Sequence, residues 1–256
     1  MALGLGIIGL PNVGKSTLFN ALAGTAVACS NYPFCTVEAN VGVVPVPDDR
    51  LTKLGELLEP DKLTPTSVRF VDIAGLVRGA SLGEGLGNRF LANIRDVDAV
   101  VHVVRCFDDA SVSHVEGETD PARDIDIIRT ELLLADLETA ERNLEKARKD
   151  AGRGDKEAAE LAAALERARD TLDAGTRMAE AGLTESERGR LSDYRFLTDK
   201  DALFVANIAE DDVDAAGTWV ERLAAASGEP EWKIVPLSAR LEAELAALDA
   251  EDLKEF

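Results

Sequence analysis

Aromatic residues are scarce in this chain, at 5% of its 256 residues, so the core has to be assembled from Ala, Val, Leu and Ile within an apolar share of 46%. Histidine occurs only at positions 102 and 114, and cysteine only at Cys29, Cys35 and Cys106. An odd cysteine count without metal-ligand spacing argues against a disulfide framework or a thiolate zinc site and leaves free thiols. Long apolar runs are missing as well. The opening segment from Met1 to Gly9 is apolar but too short to span a bilayer, and it lacks the basic start and cleavage site of a signal peptide. A soluble, cytoplasmic chain without a membrane partner is the expectation. Basic charge is the last deficit: 28 Lys and Arg against 48 Asp and Glu leave a net charge of −20. That balance argues against a broad nucleic-acid-binding face and against sequence-specific DNA binding.

What is present alternates between strand-like and helix-like pieces, the pattern of an α/β sheet. Leu5 to Ile8 reads as a first strand, followed by a Gly-rich turn and a helix from Lys15 to about Ala23. Further strands are expected at Val68–Asp72, Ala99–Val104, Ala202–Ala206 and Ile234–Leu237. The unbroken apolar third strand suits a position covered on both faces, and His102 inside it reads as a satisfied core residue. Between the third and fourth strands the period changes. Leu133, Leu137, Ala140, Leu144, Ala147 and Ala151 form one seam, and Ala158, Leu161, Leu165, Ala168 and Leu172 form another. Gly152-Arg153-Gly154 lies between them, which predicts an antiparallel helical hairpin; two separate amphipathic helices are the alternative. The expected organisation is a nucleotide-binding part over 1–130, an inserted hairpin over 131–195 and a second nucleotide-binding part over 196–256.

Gly9-Leu10-Pro11-Asn12-Val13-Gly14-Lys15-Ser16 fits G-x-x-x-x-G-K-[ST] with a strand before it and a helix after it. Backbone N–H groups from Asn12, Val13, Gly14, Lys15, Ser16 and Thr17 would face phosphates at the positive end of the helix. Lys15 would neutralise the β- and γ-oxygens, and the Ser16 hydroxyl would ligate Mg²⁺. Asp72 ends the second strand and begins Asp72-Ile73-Ala74-Gly75, where the acid can hold Mg²⁺ and the Gly75 N–H can meet a γ-phosphate. Thr36 lies between these motifs, on a loop that could bring its hydroxyl to the same ion. Gly83-Glu84-Gly85-Leu86-Gly87 follows no strand directly and so fails the context for a dinucleotide fingerprint.

Asn207-Ile208-Ala209-Glu210 follows the fourth strand, where GTPases of this architecture carry N-K-x-D. Ile208 replaces the lysine, and Glu210 is one methylene longer than the guanine-chelating aspartate. The Asn207 amide can still address adenine N6 and N7, so the motif leans towards ATP; helix capping by Asn207 is the bland alternative. Ser238, just after the last strand, is counted with the same pocket. Leu76 stands where many GTPases place a water-positioning glutamine, so either hydrolysis is slow or another group orients the water.

Taken together, Gly9 to Thr17, Asn31 to Thr36, Asp72 to Ser81, Gly83 to Asn88 and Asn207 to Glu210 resemble the YchF, or Obg-like ATPase, family of translation-factor-related P-loop proteins. The resemblance covers nearly the whole chain. It implies a P-loop G-domain with a mainly parallel sheet flanked by helices, a helical insertion, and Mg²⁺-dependent ATP hydrolysis linked to the ribosome. It implies Mg²⁺ ligation by Ser16 and Thr36, adenine reading by Asn207, and a histidine in place of the missing glutamine, here His114. It also implies a C-terminal TGS module, which this sequence, ending at Phe256, is expected to lack, while Arg78 leaves monovalent-cation dependence open. An orthodox GTPase, or a nucleotide-gated binding module with little hydrolysis, are the other readings. From Lys146 to Lys156 the five cations Lys146, Arg148, Lys149, Arg153 and Lys156 face only Asp150 and Asp155. That excess marks the hairpin tip as a candidate contact for ribosomal RNA, with a solvated helix surface as the alternative. Cys35, beside Thr36, is a candidate redox-sensitive position or an inert small side chain.

Overall fold

The computed structural model describes residues 2–28, 40–73, 86–109, 112, 115, 117–248 and 252, with backbone alone for 25–28 and 86–89. The chain begins with β1 (Leu3–Ile8) and α1 (Lys15–Ala28), followed by β2 (Val41–Pro45), α2 (Asp49–Leu58) and β3 (Ser67–Asp72). Next come α3 (Leu86–Arg95), β4 (Ala99–Cys106), α4 (Pro121–Ala151), α5 (Lys156–Asp173) and α6 (Glu185–Leu191). β5 (Asp201–Ile208), α7 (Ala216–Ser227), β6 (Ile234–Leu237) and α8 (Ala239–Leu245) complete it. Two compact units result, one from Met1–Gly75, Val97–Ala122 and Ala202–Phe256, the other from Leu76–Asp96 and Arg123–Asp201.

The first unit is an α/β unit built on a six-stranded sheet in the order β2-β3-β1-β4-β5-β6. β1 lies between β3 and β4 and is parallel to both, while β5 and β6 are also parallel. Parallel neighbours require crossover segments, which is why helices intervene between these strands. β1 buries every residue after Leu3, and β4 every residue after Ala99, as strands covered on both faces do. His102 packs its ring 5.2 Å from that of Phe204 within this interior. β2 is the strand the sequence pattern did not suggest. It contains Gly42, ends on Pro45 and pairs antiparallel with β3 at the edge of the sheet, where proline is tolerated.

The second unit is helical. α4 ends at Ala151, the chain turns through 152–154 with Gly154 at φ 93°, and α5 starts behind an Asp155 cap that accepts from the Glu157 and Ala158 N–H groups. Ala140, Leu144 and Ala147 from α4 share one buried cluster with Ala162, Leu165, Ala168 and Leu172 from α5, so the hairpin is present along the expected seam. Its small residues permit close approach, and truncating the fully buried Leu165 to Ala would cost about 2–5 kcal/mol. Asp136 of α4 has no solvent exposure and accepts from the Leu197 N–H at 2.9 Å and from both the N–H and hydroxyl of Thr198 at 2.8 Å. Burial pushes its carboxyl up to about 6, against the opposing effect of those bonds and of Arg95.

Candidate functional site

The turn after β1 is shaped by two glycines that no other residue could replace without strain. Gly9 has φ 148°, and a Cβ there would lie 2.4 Å from the Val103 carbonyl oxygen. Gly14 has φ 97°, and its Cβ would lie 2.3 Å from Asn207 Nδ2. Asn12 adds a left-handed φ of 61°, while Val13 is buried beneath the loop. α1 then starts at Lys15, and its first α-helical bond runs from the Leu18 N–H to the Gly14 carbonyl at 2.9 Å. The preceding N–H groups have no partner inside the helix, the arrangement by which a helix N-terminus receives an anion.

Three side chains give this cradle its chemistry. Lys15 is buried and donates from Nζ to the Leu10 carbonyl at 2.6 Å; desolvation lowers its ammonium to about 8, opposed by Asp72. Ser16 is exposed and donates from Oγ to Asp72 Oδ2 at 2.9 Å. Asp72 Oδ1 is buried and has no hydrogen-bond partner among the described residues. A hydroxyl and a carboxylate with one unsatisfied buried oxygen form the oxygen-donor set that suits a hard divalent cation such as Mg²⁺. Thr36, Gly75 and His114 lie outside the described residues, as do Cys35 and Leu76.

Asn207, at the buried end of β5, has a structural task that its position in the sequence does not suggest. It donates from Nδ2 to the Val13 carbonyl at 2.8 Å, and its Oδ1 accepts from the Ala239 N–H at 2.9 Å. The amide thereby ties the phosphate turn to the start of α8, and one N–H and one lone pair remain for a ligand. Ile208 is buried behind it. Ser238 caps α8, its Oγ accepting from the Leu241 N–H at 3.4 Å.

Beside the cradle lies a cavity of about 410 Å³ lined by Gly14, Thr17, residues 107–109 and 112, residues 207–211 and residues 238–240. That volume is within the range of small-ligand pockets. Glu210 sits on its rim with Oε1 3.2 Å from Arg240 Nε. The part of the lining formed by residues 107–109 and 112 is held by Arg105, a residue the sequence reading passed over. It is 2% exposed and donates to the carbonyls of Phe107 at 3.1 Å, Val112 at 3.0 Å and Asp109 at 3.2 Å, while its guanidinium stacks over Phe107. A charged residue near the end of an otherwise apolar strand was the available signal.

The hairpin tip is less basic than its composition suggested. Arg148 pairs with Glu166, Lys149 with Glu145 and Arg153 with Asp150. Glu145 and Glu166 lie outside the window that gave the local excess, so helical and cross-hairpin pairing largely neutralises it. The tip is accordingly an ion-paired surface rather than a bare cationic patch. No described helix is long and apolar enough to cross a membrane.

A profile of the family described as "50S ribosome-binding GTPase" matches residues 4–137. The chain is 47% identical over 251 residues to "Ribosome-binding ATPase YchF" of Haemophilus influenzae, a match that covers 98% of this chain and 69% of that protein. It is 44% identical over 258 residues to the protein of the same name from Bacillus subtilis, covering 100% of this chain and 70% of the relative. Among solved structures, "Structure of the Schizosaccharomyces pombe YchF GTPase" aligns with a TM-score of 0.81 at 34% identity, covering 99% of this chain and 70% of that one. The bacterial names say ATPase and the fission-yeast name says GTPase.

Proposed function

The chain belongs to the YchF family, and on that premise we propose that it is a Mg²⁺-dependent ATPase that works as a ribosome-associated switch. The observation that carries the reading is the joining of Ser16 to Asp72 beside buried Lys15, with a carboxylate oxygen left unsatisfied at the mouth of a phosphate cradle. Ser16 and Asp72, with Thr36, would hold Mg²⁺, which when bound neutralises charge on the β- and γ-phosphate oxygens. Lys15 places its ammonium on those same oxygens, exchanging the Leu10 carbonyl for phosphate. The N–H groups opening α1 and that of Gly75 complete the set of donors around the anion. His114 takes the water-orienting part that Leu76 cannot perform.

ATP is the preferred nucleotide in this reading. Guanine offers N1–H and an amino group to a free carboxylate, whereas Glu210 is engaged by Arg240 and Ile208 presents no lysine stem. Asn207 contributes its remaining amide N–H and lone pair to adenine. The ribosome as partner rests on the names of the bacterial relatives. Single-turnover hydrolysis of ATP and of GTP, with and without purified ribosomes, tests the proposal. Faster ATP cleavage, accelerated by ribosomes, is expected. Binding without cleavage of either nucleotide would make the protein a nucleotide-gated binding module instead, and preferential GTP cleavage would agree with the fission-yeast name.

A further inference from the structure

The cavity beside the phosphate cradle has a one-sided charge pattern. Asp108, Asp109, Glu210 and Asp211 line it, and among the described lining residues Arg240 is the one cation. Arg240 is the second residue of α8, two positions beyond the Ser238 cap, and its Nε lies 3.2 Å from Glu210 Oε1 and 3.2 Å from Glu244 Oε1. Its guanidinium is 76% exposed, so this pair contributes little to stability. Its placement is what matters: it hydrogen-bonds Glu244 on its own helix, and the second acid it pairs with, Glu210, stands in the purine-reading segment.

We propose that Arg240 is a positioning residue that sets purine specificity by holding the Glu210 carboxylate at the rim of the cavity. The inference deepens the reading of this cavity as the base pocket and rests on it. The edge of guanine carries N1–H and an exocyclic amino group, two donors side by side, which a free carboxylate accepts in a bidentate fashion. Adenine carries one amino donor next to the N1 acceptor, so a free carboxylate gains one bond and meets a lone pair. Releasing Glu210 therefore favours guanine more than adenine. With Arg240 in place, guanine binding has to break an ion pair first. The two nucleotides carry the same triphosphate, so the ratio of their affinities cancels the phosphate contribution and isolates this effect.

The test is equilibrium titration of ATP and GTP, each with Mg²⁺, against the parent, Arg240→Ala, Arg240→Lys, Glu210→Gln and the Arg240→Ala/Glu210→Gln double variant. Removing an exposed pair should lower Kd(GTP)/Kd(ATP) by about two- to fivefold in Arg240→Ala. Arg240→Lys, which keeps a cation, should recover part of the parent ratio. The double variant should match Glu210→Gln, because Glu244, the acid to which Arg240 also donates at 3.2 Å, does not line the cavity. Raising the salt concentration should shift the parent ratio in the same direction and leave Arg240→Ala unmoved. An unchanged ratio in Arg240→Ala, or the same shift with Glu210 already neutralised, overturns the proposal. The shift is read against the parent whichever nucleotide the parent prefers, so a parent that favours GTP defeats the ATP assignment without deciding the role of Arg240.

Discussion

Ser16 and Asp72, 56 residues apart, meet through a 2.9 Å hydrogen bond from the serine hydroxyl to one carboxylate oxygen, and the other oxygen is buried without a partner among the described residues. The start of α1 and the end of β3 are thereby drawn to one point at the mouth of the phosphate turn. If this pair holds Mg²⁺, the metal should strengthen ATP binding only while the carboxylate is present. In the parent, Mg²⁺ should tighten ATP affinity by roughly tenfold to a hundredfold relative to excess chelator, from about 1.5–3 kcal/mol of charge-assisted contact. Asp72→Asn should lose most of that dependence. An undiminished metal effect in Asp72→Asn would place the cation elsewhere.

Lys15 adds a pH dependence. Burial lowers its ammonium from 10.5 to about 8, and a bound polyphosphate restores the charged form. Between those values the free protein has lost a proton that the complex retains, so binding takes one up. Triphosphate affinity should fall by about tenfold per pH unit above pH 8, and titrations in buffers of different ionisation enthalpy should report the uptake. Lys15→Ala should abolish tight binding, whereas His114→Ala should leave affinity near the parent value and slow hydrolysis. A parent-like rate in His114→Ala would assign the attacking water to another group.

The helical unit has its own titration. The Asp136 carboxyl is raised from 3.8 to about 6, so the folded state binds more protons than the unfolded state between those values. This contribution is fully present below pH 3.8 and is lost as pH rises through 6, a decline of roughly 3 kcal/mol. Denaturant unfolding of the parent and Asp136→Asn across pH 4–7 should show that slope in the parent alone. Equal slopes would mean that Asp136 is not the group responsible.

Arg105 should matter to both stability and ligand. Arg105→Met leaves three loop carbonyls without their donor and removes the stacking on Phe107, at a cost of about 2–4 kcal/mol. Thermal unfolding should show the loss, and ATP affinity should weaken because the released loop lines the cavity. Arg105→Lys should lie between the two. Full ATP affinity in a destabilised Arg105→Met would separate the loop from the site.

The contrast between what could and could not be read from the sequence has a physical basis. The phosphate turn was legible because its glycines, lysine and serine are consecutive and sit between a strand and a helix. The hairpin was legible because its apolar period survives on both sides of Gly152–Gly154. β2 was not, since Gly42 and Pro45 interrupt a short segment whose pairing with β3 lies well along the chain. Asn207 was recognised, but its grip on Val13 crosses 194 residues, and no local pattern reports such a contact. The pairing of the tip charges was hidden for the same reason: Glu166, which pairs with Arg148, is 18 residues away.

The measurement that bears most directly on the central claim is the pair of dissociation constants for ATP and GTP with Mg²⁺ on the parent chain. Guanine, meeting Glu210 in place of the shorter aspartate and Ile208 in place of lysine, forgoes hydrogen bonds that adenine does not need, by about 1–3 kcal/mol. ATP should therefore bind roughly five- to a hundredfold more tightly than GTP. Equal affinities, or tighter GTP binding, would contradict the account.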